Sequence, residues 1–137
     1  MGTHKKNDIG RGFTLIELMI VIVIVSVLAS VAIPILRGRI NEAKWSEGRA
    51  MIGTISRAIR AYHAEKGHTA PAPTAFGGPT GLGFLPGDLS GKYFIDADFT
   101  FSVTSMDPLL FTVTATPTTT ILVPPSYTLN QSGVWTP

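Results

Sequence analysis

The sequence predicts an α+β fold in which one long N-terminal helix, transmembrane in its first half, packs its second half on a small antiparallel β-sheet. Three observations carry that reading. Phe13 to Leu36 is a run of 24 residues whose only charge is Glu17. Residues 37–67 continue at helical spacing with no loop signal in between. From residue 92 onward the chain turns to Thr-rich alternating runs of the kind that strands use.

The apolar run comes first. As a helix, its 24 residues would extend about 36 Å at ~1.5 Å per residue, enough for a bilayer core of roughly 30 Å. Ile and Val also favour strands, but this run is far longer than a strand of roughly 3–10 residues. Thirteen Leu, Ile and Val residues lie between Leu18 and Leu36. At about −0.3 to −0.6 kcal/mol each they outweigh one carboxylate costing about 2.5–3.5 kcal/mol, and the cost falls near a helix end. Pro34 cannot donate to the Ser30 carbonyl, so a kink or local unwinding is expected there.

In the next zone Met51, Ile52, Ile55, Ala58, Ile59 and Tyr62 share one helical face, and Arg49, Gly53, Ser56, Arg57 and Arg60 share the other. Gly67, with Lys66 before it and Pro71 after it, reads as the helix stop. Ten of the 21 residues from Gly67 to Gly87 are Gly or Pro, which predicts irregular backbone. The runs DFTFSVTS and LLFTVTATP, joined across MDP, read as a hairpin, and SYTLNQSGVW supplies one or two further strands. Phe99, Phe101 and Val103 alternate with Thr100, Ser102 and Thr104, as a half-buried antiparallel strand requires. The expected segments are a leader at 1–12, an assembly helix at 13–36, an amphipathic helix at 37–67, a connecting loop at 68–91 and a sheet at 92–137.

Bulk composition narrows the function classes. The chain has 137 residues and no cysteine, so it contains neither a disulfide frame nor a thiolate metal site. Its net charge of +2 arises in residues 1–12, where Lys5, Lys6 and Arg11 oppose Asp8, while the remainder carries eight basic and eight acidic residues. A basic balance of this kind does not indicate nucleic acid. Arg49, Arg57 and Arg60 lie along the same helix as Glu42, Glu47 and Glu65, a mixed-charge face suited to solvent or subunit contacts, so no nucleic-acid partner is expected. The three histidines, His4, His63 and His68, lack metal-ligand spacing, and no phosphate-binding glycine motif follows a strand. No enzyme activity, cofactor or metal is expected. Asn130 opens an NQS sequon, and the threonines of TVTATPTTT are accounted for by β-propensity.

The stretch RGFTLIELMIVIVIVSVLASVAIP closely resembles the N-terminus of type IV prepilins and of the pseudopilins of type II secretion. That resemblance covers roughly residues 10–36; RAIRAYHAEKGHTAP and YTLNQSGVW are similar to the family's helix end and sheet ending in a looser way. It implies a pilin-like fold and a leader cut between Gly12 and Phe13 by a dedicated membrane peptidase. The same enzyme would methylate the new amino group of Phe13. Glu17 matches the acid that the family carries in the first turn of its mature helix, and Pro34 matches its helix-disturbing proline. By the same resemblance Asp96 and Asp98 are candidates for calcium, which loops of major pseudopilins hold, but the longer acidic and aromatic pattern of those loops is missing, so they are read as ordinary surface acids.

The chemistry of the motif can be argued from charge alone. Cleavage after Gly12 frees an ammonium on Phe13 beside an apolar helix array, and a buried charge without a partner is costly. A carboxylate on every copy lets Glu17 of one subunit neutralise Phe13 of another; the i,i+4 spacing also permits pairing within one chain. Before assembly the helix would sit in lipid in the bacterial inner membrane, with Lys5, Lys6 and Arg11 held on the cytoplasmic side. Afterwards its apolar surface would be buried against other copies in a periplasmic or extracellular helical filament built by an inner-membrane platform. Pilin and secretion pseudopilin are the two forms of this reading. The contrasting one is a secreted soluble domain, with residues 1–32 as a conventional signal peptide cut after SVA at Ser30–Ala32.

Overall fold

The computed structural model describes residues 12–137. Lys5, Lys6, Arg11 and the remainder of the expected leader before Gly12 lie outside the described residues. Helix α1 (Leu15–Lys66) is followed by a long connector, a single 3-10 turn at Asp96–Asp98, and strands β1 (Phe99–Met106), β2 (Leu109–Ala115), β3 (Tyr127–Asn130) and β4 (Trp135–Thr136). The chain forms two compact units that meet at Gly38 and Arg39, and α1 contributes to both.

In the first unit, the side chains of α1 from Leu15 to Leu36 are exposed except for a half-buried Ala29. The helical assignment runs unbroken across Pro34, so any distortion there stays within helical geometry. Ser26 and Ser30 turn their hydroxyls back onto the carbonyls of Val23 and Val27, both at 2.7 Å. Such back-bonding hides a polar group on an apolar helix.

The second unit holds the core. Trp45, Gly48, Ile52, Ile55, Ser56 and Ile59 of α1 are buried, recurring at three- and four-residue steps as one helical stripe. Of these, Trp45, Ile52, Ile55 and Ile59 share one core with Phe99 of β1, Phe111, Val113 and Ala115 of β2, and Leu129 of β3. The expected stripe was too narrow at its N-terminal end, because Trp45 and Gly48 extend it. Ser56, assigned from its polarity to the solvent face, is buried between Ile52 and Ile59 on the same side.

The sheet is an antiparallel meander in the order β1-β2-β3-β4. Phe99 pairs with Ala115, Phe101 with Val113 and Leu129 with Trp135, with a register shift between Val103 and Ser105. Along β1 the alternation foreseen for Phe99 to Thr104 holds. Gly67, the expected stop, ends α1 at φ 82° with its N–H on the His63 carbonyl at 2.9 Å. That left-handed cap suits glycine, which has no Cβ to clash.

The connector is irregular, as its Gly and Pro content predicts, yet it is fastened to the core. Leu89 and Phe94 are fully buried, and Phe94 packs against Trp45 with ring centroids 5.2 Å apart and planes tilted by 53°. Oε1 of Glu47 accepts the Tyr93 and Phe94 amides at 2.8 and 3.1 Å. The loop therefore docks on the stripe extension that sequence periodicity missed.

Candidate functional site

The candidate site is the start of α1. Thr14 is the N-cap residue: its hydroxyl accepts the Glu17 amide at 3.2 Å. In return, Oε2 of Glu17 accepts the Thr14 amide at 2.9 Å and the Thr14 hydroxyl at 2.7 Å. This reciprocal arrangement is a capping box, which satisfies helix-end donors that no earlier turn can reach. Its signal, Thr-x-x-Glu at residues 14–17 ahead of an apolar run, stands in the sequence. Of this pair the prepilin resemblance marked only Glu17, so Thr14 is the residue that sequence reasoning missed.

Of the expected site residues, Gly12, Phe13 and Glu17 fall together here, whereas Pro34 lies more than four turns along α1. Phe13 is 90% exposed. A Cβ placed on Gly12 would meet no described heavy atom within 4 Å.

The other singled-out residues have local partners. Asp96 accepts the Gly87 and Leu89 amides and the Ser90 hydroxyl, and the Gly87 bond followed by that of Ser90 lowers its carboxyl below the ordinary value. Asp98 is buried and accepts the Ile95 amide at 2.9 Å and the Thr118 amide and hydroxyl at 2.8 and 2.6 Å. The reading as an ordinary surface acid is corrected for Asp98, which is buried; both acids pin loops through backbone amides and through the hydroxyls of Ser90 and Thr118. His63 meets the Met106 carbonyl through Nε2 at 2.9 Å. Asn130 accepts the Ser132 and Val134 amides, shaping the β3–β4 turn.

The arginines of the mixed-charge face also have fixed roles. Arg49 pairs with Glu42 at 2.7 Å and lies 5.4 Å from the centre of the Tyr127 ring. Arg60 donates to the Gln131 carbonyl at 2.7 Å and lies 5.3 Å from the centre of the Phe111 ring. Both tie helix to sheet.

A long apolar N-terminal helix followed in the chain by a four-stranded antiparallel sheet is a pilin-like α+β fold. Residues 10–33 match the family described as the prokaryotic N-terminal methylation motif. Over 87 residues (64% of the chain) it is 35% identical to a fimbrial protein of Eikenella corrodens, covering 52% of that protein. It is 37% identical over 87 residues to a type IV major pilin of Neisseria gonorrhoeae, covering 64% of the chain and 50% of that pilin. With the type II secretion system core protein G of Escherichia coli it shares 38% identity over 64 residues, 47% of the chain and 44% of that protein. The chain thus spans about half the length of the curated relatives it matches. No solved structure matches.

Proposed function

We propose that this chain is a non-enzymatic structural subunit of a type IV pilin-like filament. A prepilin peptidase cuts it between Gly12 and Phe13, the Phe13 amine is methylated, and copies pass from the inner membrane into a helical fibre on an assembly platform. The observation that carries this reading is the first half of α1, long and apolar enough to cross a membrane and with none of its apolar window buried. Each Leu, Ile or Val left in water forgoes roughly 1.5–3 kcal/mol of burial. The helix therefore belongs in lipid and then against other copies. Glu17 provides the carboxylate that a freed Phe13 ammonium needs inside such an array.

Intact mass and N-terminal sequencing of the mature chain test this proposal. A chain beginning at methylated Phe13, recovered in fibres, supports it. A dispersed chain beginning at Ile33, the product of a conventional signal peptidase, defeats it.

Similarity to a type II secretion core protein favours a second form of the same reading, a pseudopilin whose short fibre drives protein export. Deleting the gene separates the two. Loss of surface fibres with export intact supports the pilus, whereas retention of exported proteins in the periplasm supports the pseudopilus.

A further inference from the structure

Asn41 binds the backbone of Val123 twice. Its Oδ1 accepts the Val123 amide at 3.1 Å, and its Nδ2 donates to the Val123 carbonyl. The bond pair fastens the loop between β2 and β3 to α1. Leu122 anchors the tip from within, at 5% exposure, while Ile121 on one side is 99% exposed and Val123 on the other is 72% exposed. Further back in the loop, Asp98 holds Thr118 by both amide and hydroxyl. The two outermost apolar side chains of the second unit's loop are thus carried on a backbone fastened at three points. No charged side chain occurs from Pro108 to Pro137 to keep this tip in water.

Chain connectivity limits where the tip can go. Asn41 follows Leu36, the last residue of the apolar run, by five positions. Five residues reach at most about 18 Å fully extended and about 7.5 Å as helix. The headgroup layer on one side of a bilayer is on the order of 5–8 Å thick. Whatever angle the two units adopt, a clamp at Asn41 keeps Ile121 and Val123 close to the membrane that residues 13–36 cross. Arg39, exposed two residues earlier, provides a cation for lipid phosphates at the same level.

We propose that the Ile121–Val123 tip, clamped by Asn41, inserts into the outer headgroup–acyl boundary of the bilayer that anchors the same chain before assembly. The proposal rests on the membrane stage of the function above. It gives the soluble unit a second, weak hold on lipid that is released when the subunit leaves the membrane.

The chain has no native cysteine, so single nitroxide labels can be placed without background. Labels at Ile121→Cys, Val123→Cys, Ser26→Cys and Ser132→Cys are compared in lipid nanodiscs holding one full-length copy each, by collision with oxygen and with a water-soluble nickel chelate. Oxygen-dominated relaxation at 26, 121 and 123, with nickel-dominated relaxation at 132, is expected. Adding Asn41→Ala should return 121 and 123 to water and leave 26 unchanged. Water-like signals at 121 and 123 with 26 in lipid overturn this inference alone, as does an unchanged depth with Asn41→Ala. Protection that develops only when many copies share one vesicle also overturns it, because the tip would then meet a second copy. A water-exposed label at 26 overturns the membrane stage itself.

Discussion

The Glu17 carboxylate is engaged by Thr14 of its own chain through the Thr14 amide and hydroxyl, at 2.9 and 2.7 Å. The acid that the filament reading reserves for the Phe13 ammonium thus has a partner within its own first turn. Under the proposed assembly that capping box would have to break or be shared, and the capping and pairing roles of Glu17 would respond differently to substitution.

Glu17→Gln should separate them. Glutamine serves at the third position of a capping box as glutamate does, so amide exchange in the first turn of α1 should change little. It brings no charge, and an unpaired ammonium in an apolar interior costs several kcal/mol. Filament yield should fall to background while the membrane-bound, cleaved subunit persists. Wild-type fibre from Glu17→Gln would eliminate the charge-pairing role. Thr14→Val should do the opposite to the helix end, speeding first-turn exchange through loss of the hydroxyl.

Gly48 and Gly53 should respond in opposite directions to alanine. Removing glycine from a helix interior normally stabilises by roughly 0.5–1 kcal/mol. A Cβ on Gly53 meets nothing within 4 Å, so that gain is expected. At Gly48 the added Cβ would lie 2.6 Å from Cζ of Phe94, a buried ring packed against Trp45. Overpacking of this kind costs about 1–3 kcal/mol, which outweighs the propensity gain. Denaturant melts of the two detergent-purified variants should move to either side of wild type.

Asp98→Ala should destabilise the second unit by about 2–3 kcal/mol, because it strands donors that pointed at a carboxylate. Its partners are the Ile95 amide and both donors of Thr118. Thr118→Val removes one of those donors. A double-mutant cycle should therefore show the two substitutions costing less together than the sum of their separate effects.

Asp96 should impart an acid dependence to the connector. Its folded carboxyl is lowered below the ordinary 3.8, first by the Gly87 amide and then by the Ser90 hydroxyl. A lowered acid contributes stability that is fully present above the ordinary value and is lost as pH falls through the lowered one. The Gly87 amide resonance should therefore hold its position down to about pH 4 and move only in stronger acid. In Asp96→Asn that step should be absent. A Gly87 shift centred at or above the ordinary carboxylate value would contradict the assignment.

Sequence by itself determined the elements whose cause is local. Apolar periodicity set the helix face from Met51 to Tyr62, Gly67 set its end, and alternation from Phe99 to Thr104 set the inner face of β1. The unbroken apolar run around one acid singled out Glu17, while its capping partner Thr14 went unread although Thr-x-x-Glu stands at residues 14–17. Only the tertiary structure decided the long-range pairings: Glu47 with the Tyr93 and Phe94 amides, Asp98 with Thr118, Arg60 with Gln131, and Asn41 with Val123. Each joins a side chain to groups 20 to 82 residues away, most of them backbone donors and acceptors that look the same at every position in a sequence. Ser56 shows the converse limit, since its burial comes from the neighbours the fold brings to it and not from its own polarity.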